Sequence, residues 1–161
     1  MKKLILIAVV LLVLGTSVFC SSHSYADDVA SSDISAAITK AIDDGQEYVQ
    51  FADSHIKHNF GDQEFEECTL VYSAKAENIS EIGVFHTKDK DSADALVELC
   101  RAYIEDMQQN SRAFIASYAP EELPSLDAAQ VRRFGNYVVY TVLPEAHSDA
   151  AFDKVKEILK K

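Results

Sequence analysis

The sequence is short of the residues from which several common functional sites are built. It has no tryptophan, three cysteines and only five glycines, and no glycine-rich phosphate loop or glycine-flanked serine elbow occurs. Lysine and arginine together number 15, against 26 aspartates and glutamates, which gives a formal net charge of −11. We therefore expect no nucleic acid, anionic lipid or anionic wall polymer as a partner, because each requires clustered basic side chains.

Residues 1–26 have the pattern of a secretory leader. Two lysines precede an apolar run over 4–14, and Ser24-Tyr25-Ala26 supplies small residues at the positions that a signal peptidase reads. The sequence therefore predicts a secreted or cell-surface protein that is cleaved after Ala26. Because the leader holds two lysines and no acid, 13 basic and 26 acidic residues remain, with a formal charge of −13.

Two other outcomes for the leader are disfavoured. Lipid attachment at Cys20 would require a small residue before the cysteine, and Phe19 stands there instead. Retention as a membrane span would require about 20 apolar residues, and the run is shorter than that. We therefore expect no stable membrane span after cleavage.

Helical and strand patterns alternate in the rest of the chain. Residues 27–33 are small and polar and are predicted to form a flexible tether before a single domain over 34–161. Apolar residues at helical spacing predict helical runs from Ile34 to Gly45 and from Tyr48 to Gly61. The same spacing predicts a long helix from Asp91 to Tyr118 and a final helix capped by Ser148.

Runs of β-forming residues predict strands over 68–74, 81–87, 129–134 and 137–143. The last two flank Gly135-Asn136, a two-residue turn that sets Phe134 opposite Tyr137. The element order α-β-β-α-β-β-α indicates an α+β fold. We predict a two-layer sandwich, in which a mainly antiparallel four-stranded sheet carries its helices on one face.

Three segments of the chain carry a family resemblance: EIGVFHTKDKDSADALVELCRAYIED, SYAPEEL and FGNYVVYTV. They predict a strand followed by a lysine-acid turn, a long helix that ends in a tyrosine-proline-glutamate segment, and a glycine-asparagine hairpin. From about Ile56 through Glu157 the chain resembles an uncharacterised family of bacterial secreted proteins and lipoproteins, the domain of unknown function 4358. The resemblance implies the fold and an extracytoplasmic location, and it implies no activity or catalytic residues.

Two histidines are the candidate metal ligands. His55 and His58 stand three residues apart at a helix end, a spacing that can serve a metal, and Asp62, Glu64 and Glu67 follow closely. The alternative is a solvated helix end in an acidic chain, which is favoured because no third ligand has a motif-like spacing. No metal or other cofactor is therefore expected.

Cys68 and Cys100 are the cysteines that remain after cleavage, and a location outside the membrane permits their oxidation. Cys100 lies on the buried stripe of the long helix, and Cys68 begins a strand expected to pack beneath it. A disulfide that stabilises the fold by about 3 kcal/mol and two separate apolar core residues are both compatible with this placement.

One face of the predicted hairpin is the candidate interaction site. Phe134, Tyr137 and Val139 share this face with Arg132, and aromatic residues and arginine are enriched at binding hot spots. The alternative is that a helix of the same domain covers the face. Solvent exposure of Tyr137 distinguishes the two.

Two function classes follow. The first is a non-enzymatic binding module at or beyond the cell surface, with an unknown protein or small-molecule ligand as its partner. It is favoured by the absence of a catalytic pattern. The second is a metal-assisted hydrolase that uses His55, His58 and the nearby acids.

Overall fold

A computed structural model describes residues 24–61 and 63–161. In this part of the chain the helices are α1 (Ser31–Ile42), α2 (Asp53–Phe60), α3 (Lys90–Asn110), α4 (Arg112–Tyr118), α5 (Leu123–Asp127) and α6 (Glu145–Leu159). The strands are β1 (Tyr48–Gln50), β2 (Glu67–Ser73), β3 (Glu81–His86), β4 (Gln130–Phe134) and β5 (Tyr137–Val142). A turn of 3₁₀ helix over Pro120–Glu122 precedes α5.

The strands form one antiparallel sheet in the order β1-β2-β3-β5-β4. Strand β5 lies inside the sheet, and every one of its residues is buried. Strands β1 and β4 are the two edges. The predicted hairpin register is confirmed, since Phe134 pairs with Tyr137 and Arg132 pairs with Val139.

Helices cover both faces of the sheet. On one face α1 and α6 pack on Ile82, Val84 and Val139, and on the other α2 and α3 pack on Phe85 and Tyr140. The predicted α+β class is confirmed. The prediction that the helices lie on one face of the sheet only was wrong. Strands β3 and β5 are apolar at successive positions, and such strands must be buried on both sides.

The sheet has five strands rather than the predicted four. The extra strand is β1, which lies where the sequence predicted a helix. Tyr48 pairs with Ser73, and the amide of Phe51 donates to the carbonyl of Leu70 at 2.9 Å. The sequence predicted a helix here because Tyr48 and Phe51 have helical spacing. The segment forms a strand instead because it pairs with the open edge of β2.

The long predicted helix is present as two helices. Helix α3 ends at Asn110, and α4 begins at Arg112 after a break at Ser111. The N-terminal cap of α3 is Asp89, whose carboxylate accepts from the amide of Ser92 at 2.8 Å. Asp91, the predicted first residue of the long helix, lies inside the first turn of α3.

The predicted flexible tether over 27–33 was wrong. Ser31 and Asp33 belong to the first turn of α1, and Asp27 and Val29 are hydrogen-bonded to the β4–β5 hairpin. The predicted leader falls largely on residues 1–23, which lie outside the described residues. Within the described ranges, the structure contains no helix with the length and apolar character of a membrane span.

Candidate functional site

The two histidines named as candidate metal ligands have different surroundings. His58 is exposed, whereas the His55 ring stacks on Phe51 with centroids 4.0 Å apart and meets the edge of Tyr103 at 6.2 Å. The Nε2 atom of His55 is buried without a hydrogen-bond partner in the described part of the chain. Burial, followed by the charge of His58, lowers the pKa of His55. The neutral ring is therefore an aromatic packing element of α2.

The acids proposed to complete that site are engaged elsewhere. Glu64 forms an ion pair with Lys88, and Glu67 accepts a hydrogen bond from the amide of Ser31 at 3.1 Å. Asp62 lies outside the described residues. Across residues 24–61 and 63–161, no three histidine, cysteine or acidic side chains are grouped so that they could hold a metal ion. The metal-dependent hydrolase is therefore not supported.

Of the two alternatives for the cysteines, the structure has two separate residues and no disulfide, since Cys68 and Cys100 are free. Cys68 lies half-buried on β2, whereas Cys100 is fully buried on α3, a helix that packs mainly on β4 and β5. Phe60 of α2 packs in the same core as Cys100, with its ring centroid 5.1 Å from those of Phe85 and Tyr103. Burial raises the pKa of the Cys100 thiol to about 12. Both cysteines act as apolar packing residues.

The predicted interaction patch is not a surface. Phe134 is 3% exposed, and Tyr137 and Val139 are fully buried beneath α1 and α6. Arg132 alone reaches solvent, with its guanidinium 4.2 Å above the Phe152 ring. The alternative hypothesis was that helices of the same domain cover this face. The burial of Tyr137 supports that alternative.

A polar cluster inside the opposite core was not expected from the sequence. The hydroxyls of Tyr103 and Tyr140 donate to the carboxylate of Glu81 at 3.0 and 3.2 Å, which joins α3, β5 and β3. Burial raises the pKa of Glu81 to about 7, although both hydroxyls act against that shift. Gly83 provides the space, because a Cβ there would lie 2.0 Å from the Tyr140 ring. The cluster holds three elements together.

A concave surface runs along the outer edge of β4. Three adjoining depressions of about 500, 470 and 290 Å³ lie side by side there. The smallest shares Val131 and Arg101 with one neighbour and Ala129 and Gln130 with the other. Together they form one channel between β4, α3 and α5, which we call the β4 groove. It follows the five residues of β4, about 17 Å of extended chain.

The floor of the β4 groove is apolar. It is formed by Val131 of β4 together with Val97 and Ile104 of α3. Val97 and Ile104 are 8% and 6% exposed, so only a small part of each side chain is accessible from the groove. Side chains of an extended segment lying along β4 would therefore meet aliphatic carbon at alternate positions.

The rim of the β4 groove is charged. Arg133 on β4 pairs with Asp94 on α3, with 3.1 Å from Nε to Oδ1, and Arg101 pairs with Glu98. All four side chains are partly exposed. Such surface pairs contribute little to stability and exchange partners readily, so they can present either charge to a ligand.

The backbone of β4 offers unused hydrogen-bonding groups to this groove. Phe134 and Tyr137 close a two-residue turn, so Phe134, Arg132 and Gln130 direct their peptide groups toward β5. The N–H and C=O groups of Val131 and Arg133 must then point outward. No strand in the described part of the chain pairs with that edge. The groove therefore combines an apolar floor with two donors and two acceptors that pair with no strand among the described residues.

Sequence reasoning predicted the hairpin but did not identify β4 as an edge of the sheet. The two-residue turn already determines which peptide groups point away from β5. The order of strands was the missing information, because it depends on the crossover of the chain through α3. A hairpin alone does not show which of its strands ends the sheet.

The comparisons with known proteins give a single match. A family model described as Domain of unknown function (DUF4358) matches residues 30–143. This range is more than half of the chain, contains all five strands and ends before α6. No curated protein and no solved structure matches the chain.

Proposed function

The chain belongs to the DUF4358 family, a domain of unknown function, and we propose that it is a non-enzymatic module that binds an extended segment of a partner protein along β4. The segment adds a sixth strand to the sheet, a recognised mode of peptide recognition. The observation that carries this proposal is the coincidence of a continuous groove with a free strand edge. We place this function outside the membrane because of the leader-like segment at residues 1–26.

The occupant is a different protein rather than a second copy of the chain. Self-pairing of β4 in the register that uses Val131 and Arg133 of both strands would set Arg132 directly opposite Arg132. Like charges in that position are destabilising. The same arginine favours a partner strand with an acidic residue opposite it. On the α3 side, the apolar floor favours aliphatic or aromatic residues at alternate positions.

Charged edges also protect sheets from aggregation, and protection without binding is the alternative role of Arg132 and Arg133. The groove favours binding, since a strand edge protected only by charge has no need of an apolar channel beside it. An experiment must therefore detect a ligand and locate it on this edge.

A phage-displayed library of random linear dodecapeptides, selected on the immobilised chain, tests the proposal. We expect enriched peptides with alternating apolar residues and an acidic residue. The substitution Arg133→Pro removes an outward N–H without touching the ladder to β5. It should weaken binding at least about tenfold, or 1.4 kcal/mol. Arg133→Ala keeps the N–H and separates the contribution of the side chain.

The matched control lies on the other edge of the sheet. Gln50 of β1 is exposed and precedes Phe51, whose amide bonds to β2, so Gln50→Pro also places proline at an outward position. Gln50→Pro should leave peptide affinity unchanged, and the melting midpoint of each proline variant shows that it is folded. Equal affinity of wild type and Arg133→Pro would contradict the proposal. So would binding that depends instead on Phe114 and Tyr118, which are 64% and 72% exposed on α4.

A further inference from the structure

The segment before α1 is integrated into the fold. Residues 25–29, which we call the N-terminal strap, run from the end of α6 across the tip of the β4–β5 hairpin to the start of α1. The amide of Ala26 donates to the carbonyl of Leu159 at 2.8 Å, and Tyr25 forms a β-bridge with Lys160. This bond satisfies one of the carbonyls left free at the C-terminus of α6.

The Tyr25 side chain packs on the hairpin. Its ring meets Phe134 edge-on, with centroids 5.8 Å apart and an interplanar angle of 87°. Gly135 leaves room for it, since a Cβ at that position would lie 3.2 Å from the Cβ of Tyr25. Tyr25, Ala26 and Val29 all pack against the core formed by α1 and α6.

The rest of the strap is held by side chains of the sheet. Asp27 accepts from the Nδ2 of Asn136 at 3.0 Å, and its other oxygen lies 3.0 Å from the Nε2 of His86. The buried hydroxyl of Tyr137 donates to the carbonyl of Val29 at 2.7 Å and accepts from its amide at 2.9 Å. The strap thus satisfies the polar end of a core tyrosine.

Cleavage after Ala26 would divide this arrangement. It would remove the Tyr25 ring from Phe134 and the Ala26 amide from Leu159, and it would leave only the part of the strap that begins at Asp27. The residues that make the sequence resemble a cleavage site, Ser24-Tyr25-Ala26, therefore include two residues that the folded domain uses.

We propose that the exported protein retains Tyr25 and Ala26, and that its leader is removed at a peptide bond N-terminal to Tyr25. A leader peptidase of the export machinery would hydrolyse that bond with one water, which leaves a carboxyl group on the released leader and an α-amino group on the retained chain. This position replaces the one after Ala26 that the leader pattern predicts.

The test is the intact mass of the chain exported by a bacterial host with its own leader. We expect a mass that begins at or before Tyr25 and lacks the first residues of the leader. A lipid-bearing mass that begins at Cys20 would also support the proposal. A mass that begins at Asp27 or later would overturn it, and so would an exported chain that still begins at Met1.

Two variants of the same full-length gene sharpen the test. Ala26→Leu places a large residue where a peptidase cutting after position 26 needs a small one. We expect the mass to change only by the substitution, whereas accumulation of the uncut precursor would contradict the proposal. Tyr25→Ala should lower the melting midpoint of the exported protein by about 5 °C. Asp28→Ala, at an exposed position of the strap that is retained in every expected product, is the control and should leave the midpoint unchanged.

Discussion

At the scale of single residues, the least ordinary group is the carboxyl of Glu81. It begins β3 and lies largely inside the core between α3 and the sheet, where two tyrosine hydroxyls are its partners. Desolvation outweighs those two hydrogen bonds and raises the pKa of Glu81 from 4.5 to about 7. The folded state therefore holds this proton more tightly than the unfolded chain does.

This shift predicts a dependence of stability on pH. Because the folded pKa is the higher one, the contribution of Glu81 to the free energy of unfolding is complete below about pH 4.5 and is lost as pH rises through about 7. Glu81→Gln should remove that loss and raise the free energy of unfolding at pH 8 by up to about 3 kcal/mol. Urea unfolding of both proteins at pH 5 and pH 8 measures the difference.

The control for this prediction is Glu77→Gln, at an exposed carboxyl in the turn between β2 and β3. It should leave the pH dependence of wild type unchanged. If Glu81→Gln loses as much stability between pH 5 and pH 8 as wild type does, the assignment of the pH dependence to Glu81 is wrong.

At the scale of elements, the β4–β5 hairpin connects the features that matter most. Its turn requires Gly135 in the left-handed region, with φ of 64°, and its tip receives the N-terminal strap. Its register determines that the free peptide groups of β4 belong to Val131 and Arg133. A single turn therefore positions both the strap and the groove.

Two glycines separate the effect of the turn from that of the strap. Gly135 and Gly45 have similar φ values, 64° and 70°, but only Gly135 lies against another segment, since nothing is within 4 Å of a Cβ at Gly45. Gly45→Ala should cost about 1 kcal/mol of the free energy of unfolding through backbone strain alone. Gly135→Ala should cost about 1 kcal/mol more, because its methyl group crowds Tyr25. Equal losses in urea unfolding would show that Tyr25 does not press on the turn.

Short elements marked the limit of sequence reasoning at this scale. The β4–β5 hairpin was predicted with its register because glycine-asparagine is a strong local signal that needs no distant partner. Strand β1 was mistaken for a helix because three residues carry too little periodicity to outweigh a neighbouring helical run. The break between α3 and α4 at Ser111 was not predicted, because no proline or glycine stands at that position.

At the scale of the whole molecule, the sheet is a middle layer between α1 and α6 on one side and α2 and α3 on the other. The α+β class followed from the order of patterns, whereas the second helical layer was missed although β5 is apolar at almost every position. That same layer buries Tyr137 and Val139, so missing it produced a false interaction patch. The β4 groove could not be predicted, because it depends on which strand ends the sheet.

No strand in the described part of the chain pairs with the outer edge of β4, and we propose that this edge takes up a partner strand. Amide hydrogen exchange followed by NMR measures this edge residue by residue. We expect fast exchange at Val131 and Arg133 beside slow exchange at Arg132 and Phe134, and we expect exchange at Val131 and Arg133 to slow when a selected peptide is added. Slow exchange at all four amides without peptide, or slowing by the peptide elsewhere but not on β4, would contradict this proposal.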